Sequence, residues 1–180
     1  MKKKYLTVAC VVFIAGITHA QKLFSTKTGQ ISFYAGTPLE DVRAINNETD
    51  SKMLQKNGQI IFSVLVKGFV FANALMQDHF NENYMESTKF PKADFKGFIT
   101  NINAVDFDKD GIYNISAGGD LTIHGITQKV NLNGTLEVKG DNIILLSKFK
   151  IALKDFDVTG NYIGTKIAPE VEITVNCKYE

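Results

Sequence analysis

The sequence is poor in residue types that define several protein classes. It has no tryptophan, three prolines, two cysteines and three histidines. Zinc sites need clustered histidine, cysteine or carboxylate ligands, and His79 and His124 stand far apart in the chain. The chain also shows no internal repeat, low-complexity tract or proline-rich linker. These absences predict no metal site and favour one domain.

Strong charge and long apolar runs are also missing. The formal net charge is +1, and the basic residues are scattered rather than arranged in a stripe among aromatic residues. A nucleic-acid partner is therefore not expected. The longest apolar run, Tyr5 to Ile17, is shorter than the roughly 20 residues that cross a bilayer, so no transmembrane anchor is predicted.

The first residues have the pattern of a secretory signal peptide. Three lysines precede the apolar run, and Thr18-His19-Ala20 supplies the small residues before the polar Gln21. This pattern predicts cleavage after Ala20, a single domain over 21–180, and a periplasmic or secreted location. Cleavage would remove Cys10 and leave Cys177 as the only thiol, so no internal disulfide is expected.

Alternation of apolar and polar residues dominates the rest of the chain. This period of two is typical of strands with one dry face and one wet face. It predicts about eight strands, at 24–35, 42–55, 58–67, 92–104, 112–124, 127–139, 142–153 and 170–179. Long antiparallel strands with one apolar face favour an all-β fold with a closed eight-stranded barrel. A two-sheet sandwich is the alternative.

One segment departs from the alternation. Between Asn73 and Tyr84 the apolar residues Leu75, Met76 and Phe80 follow helical spacing, and Asn73 is suited to cap the helix N-terminus. The pattern predicts one short helix between the third and fourth strands.

Motifs for catalysis are incomplete or missing. No G-x-S-x-G elbow is present, and Asp106–Gly111 matches only the first half of a calcium loop, because Ala117 stands where a glutamate ligand is needed. The sequence therefore predicts neither enzymatic activity nor a cofactor. A small hydrolase remains a weaker alternative.

Several segments together resemble one family. The runs Leu75–Ser87, Phe90–Gly97 and Gly119–Val130, with Phe149–Ile151 and Asp155-Phe156 after them, resemble the YceI-like family in order and spacing. The resemblance implies a lipocalin-like barrel, exported, that holds a polyisoprenoid, an isoprenoid quinone or a fatty-acid-like lipid for carriage or storage. The histidine-serine pair that family members often carry before the first strand is absent here.

A lipid-binding interior gives specific expectations for residues. His79 or Asn81 would contact a head group, and two barrels sharing one long ligand would form a homodimer. The residues expected to line the tunnel are Phe33, Phe62, Phe69, Phe71, Met76, Phe80, Tyr84, Phe90, Phe95, Leu121, Ile123 and Phe149. The alternative is an exported interaction or stress-response module with a solid core and no ligand.

Overall fold

The computed structural model describes residues 22–179, so the predicted signal peptide over residues 1–20 lies outside the described residues. A six-residue helix, α1 (Ala74–His79), continues into a π-helical turn over Phe80–Tyr84. The strands are β1 (Leu23–Tyr34), β2 (Arg43–Leu54), β3 (Gln59–Leu65), β4 (Val70–Phe71), β5 (Lys92–Ile99), β6 (Gly111–Ile123), β7 (Ile126–Lys139), β8 (Asn142–Ala152) and β9 (Glu170–Tyr179).

Strand pairing closes the sheet into a barrel. The order is β1-β9-β8-β7-β6-β5-β3-β2, and a second pairing of β1 with β2 joins the two ends. All of these pairings are antiparallel, and the short β4 attaches to the start of β2. The predicted eight-stranded barrel is confirmed, and the sandwich is not formed. The two-residue β4 is too short to show any alternation in sequence.

The β6–β7 hairpin shows how local sequence sets the strand register. Ile123 pairs with Ile126, and the two turn residues between them, His124 and Gly125, have φ values of 51° and 76°. Positive φ at both central positions is the geometry that matches the right-handed twist of the flanking strands. The turn brings His124 to the same end of the barrel as the helix.

The helix begins at the predicted cap. The Asn73 side-chain oxygen accepts hydrogen bonds from the backbone N–H groups of Leu75, at 2.9 Å, and Met76, at 3.4 Å. Beyond His79 the backbone widens into the π-helical turn, where the N–H of Met85 donates to the carbonyl of Phe80 at 2.9 Å. The predicted helix is confirmed as one continuous segment with a wider last turn.

The barrel end opposite the helix, called here the closed end, is filled with side chains. Phe24 stacks on Phe107 with a centroid distance of 5.4 Å, and the buried Tyr179 hydroxyl lies 2.8 Å from Ser51 Oγ. Cys177 is fully buried beside them, and this burial raises the pKa of its thiol to about 12. The interior therefore has free space only towards the other end, called the helix end.

Candidate ligand-binding cavity

A cavity of about 460 Å³ occupies the barrel beneath the helix. Its volume is within the range of roughly 300–1,000 Å³ found for small-molecule sites. The walls are inward-facing residues that alternate along the strands, such as Ile60, Phe62, Phe95, Leu121, Phe149 and Ile173. The inner surface is therefore almost entirely apolar, as the alternation in sequence requires.

Four phenylalanine rings form one cluster against the roof of the cavity. Phe80 of the π-helical turn lies 5.0 Å from Phe71 and 5.5 Å from Phe33, measured between ring centroids. Phe69 completes the cluster at 5.3 Å from Phe33. These spacings are within the favourable range for aromatic pairs, so the cluster fixes the helix to the strands below it.

Tyr84 joins the helical segment to the loop between β8 and β9. Its ring packs directly on Gly160, where no side chain could be accommodated. Burial raises the pKa of the Tyr84 hydroxyl, and the nearby Tyr162 adds to the shift. The contact closes one side of the helix end and leaves an opening elsewhere around the rim.

That opening, called here the mouth, is lined by polar as well as apolar side chains. It is framed by Leu75 and His79 of α1, by Glu40 of the β1–β2 loop, and by Tyr162 and Lys166 of the β8–β9 loop. Lys166 Nζ lies 4.0 Å from a carboxylate oxygen of Glu40. An apolar interior with a polar, exposed mouth suits an amphiphile whose head group stays in water.

The structure brings together most residues named from the sequence. Among the twelve tunnel residues, all but Phe90 line the cavity, and His79 lies at its mouth. Phe90 instead packs edge-on against His124 at a centroid distance of 4.6 Å, because it follows the helical segment that covers the cavity, which ends at Tyr84. Neither Phe90 nor Asn81 is among the residues that line the cavity.

Asn81 is held by its own helix. Its side-chain nitrogen donates to the carbonyl of Gln77 at 2.9 Å, so it does not reach the mouth. Glu40, Tyr162 and Lys166 were not predicted from the sequence, because loops carry no periodicity that indicates which way a side chain faces.

Metal-ligand clusters and helices that could span a membrane are absent from the described residues. Over 22–179 no group of three or more histidine, cysteine or acidic side chains is arranged to hold a metal ion. In the acidic loop before β6, carboxylates accept hydrogen bonds from backbone N–H groups. Asp110, for example, accepts from the N–H of Gly140 at 2.8 Å. In the same range, no helix has the length and apolarity that a bilayer crossing requires.

Sequence comparison decides the family. A model described as the YceI-like domain matches residues 9–179. The chain belongs to the YceI-like family. No curated protein matches it.

Solved structures share the barrel of this YceI-like chain at low sequence identity. A polyisoprenoid binding domain from Saccharophagus degradans has a TM-score of 0.76 and 9% identity, over 89% of this chain and 98% of that one. BcnA from Burkholderia cenocepacia has a TM-score of 0.68 and 14% identity, over 84% and 96%. The YCEI protein of Campylobacter jejuni has a TM-score of 0.55 and 13% identity, over 100% and 91%. At these identities the likeness concerns the fold.

Proposed function

We propose that this protein is an exported lipid-binding barrel. It holds the apolar chain of a long amphiphile, such as a polyisoprenoid, an isoprenoid quinone or a fatty-acid-like lipid, for carriage or storage. The observation that carries the proposal is the apolar cavity with its polar mouth at the helix end. A solid barrel acting only through its outer surface would have no need of this space.

The energetics favour a chain rather than a compact polar ligand. Each buried methylene contributes about 0.8 kcal/mol, so several isoprene units exceed association costs of about 4–15 kcal/mol. The lining supplies few hydrogen-bonding partners in the interior, where an unpaired polar group would cost free energy. The printed description of the Saccharophagus degradans relative as polyisoprenoid binding supports an isoprenoid as the first ligand class to test.

The head group is assigned to the mouth. His79 and Lys166 are donors there and Glu40 is an acceptor, so a hydroxyl, a quinone carbonyl or a carboxylate would find a partner. No bond of the ligand has to be made or broken for binding or release. The proposed function is therefore non-enzymatic.

Organic extraction of the purified protein, followed by mass spectrometry, tests the ligand directly. We expect an isoprenoid or long-chain lipid in near-stoichiometric amount. A lipid-free extract, together with no uptake of farnesol or palmitate by the purified protein, would contradict the proposal.

A wall-filling substitution tests whether the cavity holds the ligand. Ala117 faces the cavity from β6, and Ala117→Phe would occupy part of it. We expect lipid uptake to fall by at least about tenfold, with the fold retained because the added ring enters existing space. Asn114→Phe is the matched control, since Asn114 is exposed on the outer face of the same strand. Equal uptake by both variants would place the ligand elsewhere.

Export is tested by the mass and location of the protein in its own host. We expect a chain that begins at Gln21 in the periplasmic or culture fraction. An uncleaved chain confined to the cytoplasm would contradict this part of the proposal and leave lipid binding untouched.

A further inference from the structure

The ladder between β7 and β8 covers only part of their length. Pairing runs from Lys139–Asn142 to Gly134–Ser147 and then stops. Towards the helix end, residues 126–133 of β7 pair with β6 alone, and residues 148–152 of β8 pair with β9 alone. The unpaired halves border a gap in the barrel wall, called here the slot.

The cavity extends to the slot. Leu132 on β7 and Phe149 on β8 line the cavity from the slot's two edges. Asn133 also lines it, although its side chain lies on the outer face, where it accepts a hydrogen bond from Ser116 Oγ at 2.9 Å. At the narrow end of the slot, Ser147 Oγ donates to the carbonyl of Asn133 at 2.7 Å. Between this hydrogen bond and the helix end, β7 and β8 are therefore not joined and the barrel wall is open.

The short 3₁₀ helix Leu153–Phe156 covers the slot from the helix end. Phe156 is only 2% exposed and lines the cavity; with the 3₁₀ helix that carries it, it is called here the plug. Gln128 Nε2 donates to the carbonyl of Asp155 at 2.8 Å, and His124 Nδ1 lies 3.3 Å from the carbonyl of Phe156. Side-chain hydrogen bonds, not a strand ladder, join the plug to β7 and to the turn that precedes it.

Displacing the plug breaks two side-chain hydrogen bonds and takes the Phe156 ring out of the apolar core, while the strand ladders on either side stay intact. No ladder hydrogen bond has to break, as it would for a paired strand. Segments that gate ligands are drawn from the least stable parts of a fold for this reason. The backbone groups of the unpaired halves must be satisfied by water or by neighbouring side chains in both states.

We propose that the slot is a second opening of the cavity, through which the apolar chain of the ligand passes when Phe156 moves aside. The inference rests on the proposed lipid-binding function. With the head group at the mouth, a chain longer than the interior would leave through the slot between Leu132 and Phe149. Chain length would then decide which ligands need the slot.

Bridging the slot tests this. In a Cys10→Ser background, Asn131→Cys and Lys150→Cys place thiols on the exposed edges of the two unpaired halves, and a flexible bis-maleimide joins them. Cys177 is fully buried and does not compete for the reagent. The protein is loaded with farnesol, or with the much longer solanesol, and release into phosphatidylcholine vesicles is followed.

We expect the bridge to slow solanesol release about tenfold or more and to change farnesol release less than about twofold. The matched control is Thr135→Cys with Leu146→Cys, a directly paired position on the same two strands, where the ladder is already formed. Bridging this control pair is expected to leave both rates unchanged.

Two further variants act on the plug. Phe156→Ala is expected to speed solanesol release, and circular dichroism checks that it folds. Gln128→Ala removes one plug contact from an exposed side chain and is expected to act in the same direction with no loss of thermal stability. Normal binding with solanesol release unaffected by the bridge, or both alcohols slowed equally, would overturn the slot alone. Failure of the unbridged protein to bind either alcohol would overturn the proposed function as well.

Discussion

Gly97 and Gly119 occupy a crowded place inside the barrel. They pair across β5 and β6, and the ring of Phe95 lies over both. A Cβ atom at Gly119 would stand 2.5 Å from the carbonyl oxygen of Lys96 and 2.6 Å from the Cα of Gly97. Both neighbours are backbone atoms and cannot turn away. Glycine is required at this position by close approach of the strands.

We predict that Gly119→Ala lowers the free energy of unfolding by about 1–3 kcal/mol, the usual cost of overpacking a core. Urea denaturation measures the change. Gly118→Ala is the matched control on the same strand, because its Cβ would meet only side-chain atoms: the flexible end of Asn131 at 3.0 Å, and Thr100 Cγ2 at an ordinary contact distance of 3.8 Å. A loss for Gly118→Ala as large as for Gly119→Ala would refute the steric explanation.

At the scale of an element, the helical segment depends on a single cap. α1 has six residues, too few for a stable isolated helix, so its first turn relies on the two bonds accepted by Asn73. Asn73→Ala is predicted to cost about 0.5–2 kcal/mol of local stability and to raise hydrogen exchange over 74–84. Since this segment forms the cavity roof, ligand release should quicken too.

Asn83→Ala is the control for the cap, because Asn83 is exposed in the same segment and caps nothing. It should leave hydrogen exchange near the parent level. Unchanged exchange in Asn73→Ala would mean that the phenylalanine cluster alone holds the roof.

Long periodic elements were predictable from sequence and short or irregular ones were not. β6 and β7 have 13 and 14 residues in which apolar and polar side chains alternate, so this alternation alone predicts which side chains face the interior. β4 and the π-helical turn depend on the tertiary contact between Phe71 and Phe80, which cannot be predicted from the local sequence. Phe33 and Phe90 illustrate the same limit. Phe33 lies within a strand and lines the cavity, whereas Phe90 lies outside the strands and packs against His124.

The burial of polar residues in β2 was also not predictable from the sequence. Asn46, Thr49 and Ser51 are fully buried although their residue types indicate a wet face. Asn46 donates to the carbonyl of Leu65 at 3.0 Å, and Ser51 donates to that of Ile61 at 3.0 Å. These two partners lie on β3, so the burial of Asn46 and Ser51 follows from strand pairing that the sequence does not show.

At the scale of the whole molecule, the barrel is packed solid at one end and hollow at the other. The closed end is packed solid around Phe24, Cys177 and Tyr179, and the helix end holds the cavity, the mouth and the slot. Empty space and unpaired strand edges lower stability locally, so a well-packed closed end must supply most of it. Under the proposed function, ligand exchange at the helix end requires no global unfolding.

The closed end makes stability sensitive to alkaline pH. Burial raises the pKa of the Tyr179 hydroxyl and, to about 12, that of the Cys177 thiol, whose ordinary value is 9.0. Above the ordinary pKa values the unfolded chain loses these protons while the folded chain keeps them. The folded state then binds more protons, so the free energy of unfolding falls as pH rises, by up to about 1.4 kcal/mol per pH unit for each group.

Tyr179→Phe is therefore predicted to flatten the loss of stability above about pH 10, the ordinary pKa of a tyrosine. Removing the hydroxyl also breaks its bond to Ser51, which lowers stability at pH 7 by about 1 kcal/mol, so the slopes rather than the absolute values are compared. Tyr162→Phe, at the exposed mouth, is the control and should keep the parent slope. Urea titrations at several pH values measure both slopes. An unchanged slope in Tyr179→Phe would mean that the closed end opens to solvent before it titrates, and would move the stable core of the molecule elsewhere.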